Sequence, residues 1–355
     1  MVSYALGSKM PDSDIKLIGE DDPQVVTFSK ALTIPLTRYC RNNCSYCNFR
    51  KMDQLTVPYS TIKATKMARN ANIREVYFVA GERPDKSPQI RAVLDLWGFN
   101  SYLDYLYTIA ELSFLEGLIP VLDLGFLTPQ EMEKLSEISA IFKIGLDALD
   151  LDKENEFYKA SPGKRYEIRL KSLTWAGKLK IPVATGLLLG IGEGHAFKKM
   201  MLNDLAALHA EYGIIHEVQI QNILPSRNNP TIKPVDKAEM MKTIDMAFEL
   251  LPKDIKIIVA AENTPDIADY IKMGIRDVGR INESQSIISM QQLNETVQSL
   301  GLTLQQRFPL RMEYIRDVRY SKKLGQVFDA YRYKIKKEEQ EKQKDLKPIS
   351  NENKK

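Results

Sequence analysis

Cys40, Cys44 and Cys47 are the only three cysteines among 355 residues. They fall within eight consecutive positions, in Thr-Arg-Tyr-Cys40-Arg-Asn-Asn-Cys44-Ser-Tyr-Cys47-Asn-Phe-Arg. Thiolates gathered this closely bind soft metal. A [4Fe–4S] cluster normally takes four cysteines. Three leave one iron open to another molecule, much as a catalytic zinc keeps an open position. A disulfide would use cysteines in pairs. Structural zinc needs a fourth ligand, and the three histidines, His195, His209 and His216, lie far off in sequence. A distant histidine or carboxylate completing a zinc site stays open beside the iron–sulfur reading.

The elements that would position such a loop alternate between strand and helix patterns. Strands are expected at Ala31 to Leu36, Glu75 to Ala80, Ile119 to Leu124, Ala140 to Leu146, Ile181 to Leu189, His216 to Leu224, Ile255 to Ala261 and Asp277 to Ile281. Helical stretches separate them. One starts near Ser60, read as its N-cap, and another at Thr128-Pro129-Gln130-Glu131, an N-cap with proline and an acid in the first turn. Roughly six to eight βα units of this kind within about 250 residues favour a parallel α/β barrel of the TIM type, complete or partial. The expected division is an N-terminal extension over 1–30, the barrel over 31–290, a C-terminal extension packed on it over 291–333, and a charged, disordered tail over 334–355. The net charge of +4, from 50 basic and 46 acidic residues, is too balanced to suggest nucleic acid as a partner. No apolar run is long enough to cross a membrane, and Met1 to Asp14 lacks a signal region, so a cytoplasmic chain is expected.

The cysteine loop follows the first strand, and barrel active sites collect at the C-terminal strand ends. Other strand ends carry candidates. Ala80-Gly81-Glu82-Arg83-Pro84 closes the second, where glycine permits close backbone approach, although such turns are common by themselves. Gly186-Leu-Leu-Leu-Gly190-Ile-Gly192-Glu193 has glycines that would let a flat base lie on the backbone. Asp147 ends the fourth strand. Gln219 and Gln221 share one face of the sixth with Glu217, by period two. These three, with Asn282, are the candidates for lining a substrate cavity; a placement against helices would require buried hydrogen-bond partners.

The Cys-x3-Cys-x2-Cys loop resembles that of the radical S-adenosylmethionine superfamily, with Tyr46 at the usual aromatic position before the third cysteine. The resemblance implies a [4Fe–4S] cluster whose open iron is chelated by S-adenosylmethionine, which is reductively split to methionine and a deoxyadenosyl radical. It implies that Gly81 and Glu82 stand for the Gly-Gly-Glu motif receiving the methionine amino group. Gly190 and Glu193 belong to the strand packed on adenine, Asp147 would serve the ribose hydroxyls, and Arg169 would pair with the carboxylate; by itself Arg169 could equally be a solvated helix arginine.

Longer stretches resemble one family within it, the CofG subunit of 7,8-didemethyl-8-hydroxy-5-deazariboflavin synthases. They include 34–50, Ser161-Pro-Gly-Lys164, Thr185 to Glu193, Leu208 to Gly213, Glu217 to Asn222 and Leu304 to Tyr314. That resemblance implies a lyase acting on the hydroxybenzyl adduct of a ribityl diaminouracil with loss of ammonia, a CofH-like second subunit that supplies the adduct, and an external one-electron donor. The chain departs from the family at three strand ends, Asp123, Asp147 and Glu283.

Overall fold

The computed structural model describes residues 22–345, except positions 52–53, 72, 148, 150–156, 159, 226–228, 283–285, 312–313 and 316–319. Met1 to Asp14, Glu283 and the last ten residues of the expected tail therefore lie outside the described residues.

Eight parallel strands close into a barrel: β1 (Val25–Thr37), β2 (Glu75–Ala80), β3 (Ile119–Asp123), β4 (Ile141–Lys143), β5 (Val183–Leu189), β6 (Ile215–Asn222), β7 (Lys256–Ile258) and β8 (Asp277–Ile281). Neighbours in sequence pair in order, and β1 pairs with both β8 and β2 to complete the ring. All eight overlap the strands expected from sequence. Helices α1 (Pro58–Asn70), α2 (Pro88–Leu96), α3 (Tyr102–Leu115), α4 (Pro129–Leu135), α5 (Tyr166–Lys178), α6 (His195–Tyr212), α7 (Lys237–Leu250) and α8 (Ile267–Lys272) connect the strands, and α9 (Met290–Ser299) follows β8.

Local chemistry explains several boundaries. Thr128 forms a reciprocal capping box with Glu131 at the start of α4, satisfying two backbone donors that a helix end leaves free. Ser60 does not cap α1. That helix starts at Pro58, whose missing N–H costs nothing in the first turn, with Val57 at the cap. Gly213, at φ +64°, ends α6 in the left-handed region, its N–H bonding to His209 O at 2.7 Å.

The first strand begins at Val25, so the boundary expected at residue 31 falls inside it. Its first four residues pair in parallel with β9 (Thr303–Gln306), a strand of the C-terminal extension. That extension closes the end of the barrel opposite the cysteine loop. Phe308, Leu310 and Ile315, with Leu324 and Phe328 of the C-terminal helix (Lys322–Asp345), pack on Ile119, Val121, Ile141 and Ala184 near the strand starts. The charged tail contributes to this helix as far as Asp345. No helix among the described residues is long and apolar enough to cross a membrane.

Candidate active site

The cysteine loop spans 38–51, directly after β1, and it is tied to the ends of β2 and to the segment 161–164. Gly81 N–H donates to Thr37 O at 3.2 Å, Arg41 N–H to Glu82 O at 2.9 Å, and Glu82 N–H to Cys40 Sγ at 3.1 Å. Asn43 N–H donates to Ser161 Oγ, which lies 3.3 Å from Cys44 Sγ, and Asn42 Oδ1 accepts from Gly163 N–H at 3.0 Å. The glycine at 81 is required by this packing. A Cβ there would lie 1.9 Å from Tyr39 O and 2.6 Å from Cys40 Cβ. The close approach read from sequence is thus first an approach to the cysteine loop. Gly163 is held likewise, since a Cβ would fall 1.8 Å from Glu82 Oε1.

The three cysteines line a cavity of about 410 Å³ at the C-terminal mouth of the barrel, together with Tyr46, Gly81, Glu82, Asp147 and Arg169. Arg169 is not a solvated helix arginine: it is 4% exposed, and its Nη2 donates to Glu82 Oε2 at 2.9 Å. Glu82 also accepts from Arg41 Nε at 2.8 Å. Burial alone would raise the Glu82 pKa, but Arg169 and Arg41 outweigh it and hold the carboxyl below its usual range. Arg169 Nε is buried with no partner.

Asp147 accepts from Tyr46 Oη at 3.2 Å and forms an ion pair with Lys164 Nζ. Tyr158 packs edge-on against the Tyr46 ring and donates to Asp147 O at 2.7 Å. Burial, reinforced by neighbouring Arg169, pushes the Lys164 pKa down to about 8, while Cys44 and Glu82 oppose that shift.

Other candidates are placed differently from the sequence expectation. Gly190 and Glu193 do not line the cavity. The Glu193 carboxylate turns back to accept from Gly190 N–H at 3.0 Å and Ile191 N–H at 2.8 Å, bracing the loop after β5, and Gly186, Leu187 and Leu188 face the cavity in their stead. Gln219 and Gln221 line the cavity. Glu217 does not: the shared face holds, but two residues down the strand it enters a buried ionic layer under the cavity floor. There it pairs with Arg280 and, at 3.1 Å, with Arg307; Arg280 also pairs with Glu75, and Arg307 with Asp277 at 2.5 Å. Burial opposes the Glu217 charge, yet Arg280, His216 and Arg307 hold its carboxyl well below the usual range. Asn282 is also absent from the cavity lining; its N–H lies 3.4 Å from Glu262 Oε2.

Lys143 and Lys164 also line the cavity, and Asp123 accepts a 2.6 Å bond from Tyr77 Oη, roles that no motif in the chain assigns. The Ser-Pro-Gly-Lys segment was the only signal for Lys164. Lys143, closing an Ile-Phe-Lys strand, gave none.

The donor set fits an iron–sulfur cluster. Three soft thiols face one cavity. The orphaned Arg169 Nε, in the wall of the same cavity, suits an oxygen acceptor such as a carboxylate.

Comparison with known proteins agrees. The sequence profile of the Radical SAM superfamily matches residues 34–202. The chain is 34% identical over 319 residues to 7,8-didemethyl-8-hydroxy-5-deazariboflavin synthase of Archaeoglobus fulgidus, covering 87% of this chain and 97% of that one. It is 36% identical over 266 residues to the synthase of the same name from Methanoregula boonei, covering 74% and 80%. Among solved structures, HydG, a maturase of the [FeFe]-hydrogenase, superposes with a TM-score of 0.64 at 16% identity over 86% of this chain and 70% of that one. Methylornithine synthase superposes with a TM-score of 0.57 at 13% identity over 80% and 85%, so these two likenesses concern the fold. On its motif, its barrel and the length of its match to these relatives, the chain belongs to the radical SAM superfamily, in the family of the 7,8-didemethyl-8-hydroxy-5-deazariboflavin synthases.

Proposed function

We propose that this chain converts the hydroxybenzyl adduct of a ribityl diaminouracil into the 7,8-didemethyl-8-hydroxy-5-deazariboflavin chromophore, with ring closure and loss of ammonia. The observation that carries this reading is the 34% identity maintained over 97% of the Archaeoglobus synthase, which spans both the cofactor and the substrate strand ends. When bound, a [4Fe–4S] cluster and S-adenosylmethionine supply a deoxyadenosyl radical able to abstract hydrogen from the substrate.

The residues divide the cavity between them. Cys40, Cys44 and Cys47 would hold the cluster. Arg169, steered by Glu82, would take the methionine carboxylate with its free Nε. The Glu82 carbonyl already accepts from Arg41 N–H and keeps a second lone pair for the amino group. Asp147 and Tyr46 would fix the ribose end, and the bare backbone at Gly186 gives a flat base room. Gln219 and Gln221 line the same cavity from β6 and would face the substrate, while the Asn222 amide is held by the Val235 backbone. A CofH-like partner would supply the adduct, and an external donor the single electron, in a reducing cytoplasm that protects the cluster.

The test is anaerobic incubation of reconstituted, reduced enzyme with S-adenosylmethionine and the adduct, followed by mass analysis. Deoxyadenosine, ammonia and a fluorescent deazaflavin are expected. Deoxyadenosine without deazaflavin, at full cluster loading, would refute this substrate and leave the superfamily chemistry standing.

A further inference from the structure

Most charged groups in the cavity wall are matched by an opposite charge or a hydroxyl. Glu82 takes Arg41 and Arg169, Asp147 takes Lys164, and Asp123 takes the Tyr77 hydroxyl. Lys143 is different. It closes β4 and lines the cavity, and its Nζ donates to the neutral Gln219 Oε1 at 2.6 Å. Its hydrogen bond is to this amide, while the carboxylates of Asp123, Glu217 and Glu75 act on its charge from farther off.

The bridge spans a whole strand. Lys143 is in register with Ala184 of β5, and Gly186 of β5 is in register with Gln219 of β6. The lysine crosses where β5 carries small residues. Any Cβ at Gly186 would lie 2.2 Å from Gln219 O and 3.0 Å from Gln219 Cβ. A sequestered ammonium whose one hydrogen bond goes to an amide oxygen is costly unless a further acceptor arrives to meet it, even with the Asp123, Glu217 and Glu75 carboxylates partly offsetting burial and Arg280. Two of the three ammonium hydrogens stay free. The Gln219 amide, its oxygen accepting from Lys143, donates its Nε2 to Gln221 Oε1 at a long 3.5 Å. Together they present two adjacent donors, with one lone pair left on the Gln219 oxygen.

From this we infer that Lys143 and Gln219 form the substrate anchor of the cavity, a donor–donor pair that takes the carbonyl oxygens of an imide-like heterocycle. On the function proposed above, on which this inference rests, that group is the pyrimidine ring of the adduct, gripped through a ring carbonyl by the ammonium. Lys143 thereby sets both which ring is accepted and how it lies relative to the cluster loop.

The experiment titrates the adduct into cluster-loaded enzyme holding S-adenosylmethionine, without reductant. It compares wild type with Lys143→Met, Lys143→Arg and Gln219→Leu. Iron content, thermal melting and S-adenosylmethionine affinity serve as checks that the pocket is otherwise intact. Lys143→Met should weaken adduct binding roughly 10- to 100-fold, as expected for a lost hydrogen bond to a charged group. Lys143→Arg should recover part of that loss, and Gln219→Leu should weaken binding in the same direction. In turnover the effect should appear mainly in KM. If wild type binds the adduct and Lys143→Met binds it equally well, the anchor is refuted while the proposed function stands. Should Lys143→Met fail to fold, normal adduct binding by Gln219→Leu refutes it equally. Wild type that neither binds nor converts the adduct overturns both.

Discussion

Replacing Arg307 by Met tests whether the barrel floor is an ionic layer keyed by the C-terminal extension. Arg307 is 2% exposed and reaches into the barrel from the segment after β9. Its guanidinium meets Asp277 at 2.5 Å and Glu217 at 3.1 Å, and donates to the carbonyls of Phe308 and Pro309. Without it, Asp277 loses its cation, and Glu217 keeps Arg280, which it shares with Glu75. Breaking a buried pair by removing one partner costs about 3–5 kcal/mol, because the other charge stays buried. An unfolding entropy of ~2.1 cal/mol/K per residue over 355 residues gives about 0.75 kcal/mol/K, so Tm should fall by about 4–7 °C. Glu217→Gln, which keeps the shape and removes the charge, should cost less. The double variant should fall short of the sum by about 0.5–3 kcal/mol, since the two residues share one network. The assay is anaerobic thermal unfolding of the four proteins, with adduct affinity measured alongside. An Arg307→Met Tm within a degree of wild type, or strict additivity, would refute the reasoning. A Glu217→Gln variant of normal Tm and weakened adduct binding would return Glu217 to the cavity wall.

Four further outcomes are expected. Alanine at Cys40, Cys44 or Cys47 should abolish both cluster loading and S-adenosylmethionine cleavage, read by iron and sulfide analysis and by deoxyadenosine; one variant retaining both would sink the cluster assignment. Arg169→Ala should leave the iron content unchanged and weaken S-adenosylmethionine binding by roughly 2–5 kcal/mol, the cost of removing a desolvated charged partner; unchanged affinity would remove Arg169 from the cofactor site. Gly81→Ala drives a Cβ to within 1.9 Å of Tyr39 O and should displace the cysteine loop, so a variant that folds and still loads a full cluster would contradict the packing. Burial of His216 pushes its pKa down to about 4, so it folds neutral while the unfolded chain takes up its proton first. Its contribution is therefore complete above about pH 6.5 and is lost as the pH falls toward 4, by at most ~3 kcal/mol; melts of wild type and His216→Gln across that window should diverge in slope, and parallel curves would dismiss the effect.

The sequence by itself determined the features that a short stretch of chain encodes. Three thiols within one loop are legible because ligand type and spacing are local, and the eight strands because a short apolar run or a polar–apolar alternation is a local pattern too. It also determined which face Gln219, Gln221 and Glu217 share, since strand side chains alternate with period two. Depth within the barrel was decided only by the tertiary structure. Glu217 lies below the floor because Arg280 and Arg307, 63 and 90 residues away, meet it there. The same holds for Glu193, whose carboxylate finds its own loop's amides, and for Val25 to Phe28, which belong to β1 because β9 returns to pair with them. Lys143 is the sharpest case. In the chain it is a polar residue at the end of a three-residue strand, and it lines the cavity because the barrel brings Gln219, 76 residues on, within hydrogen-bond reach of its ammonium. Local pattern fixes element and face; layer, partner and charge balance are set by the closure of the barrel, which brings distant residues to the same height.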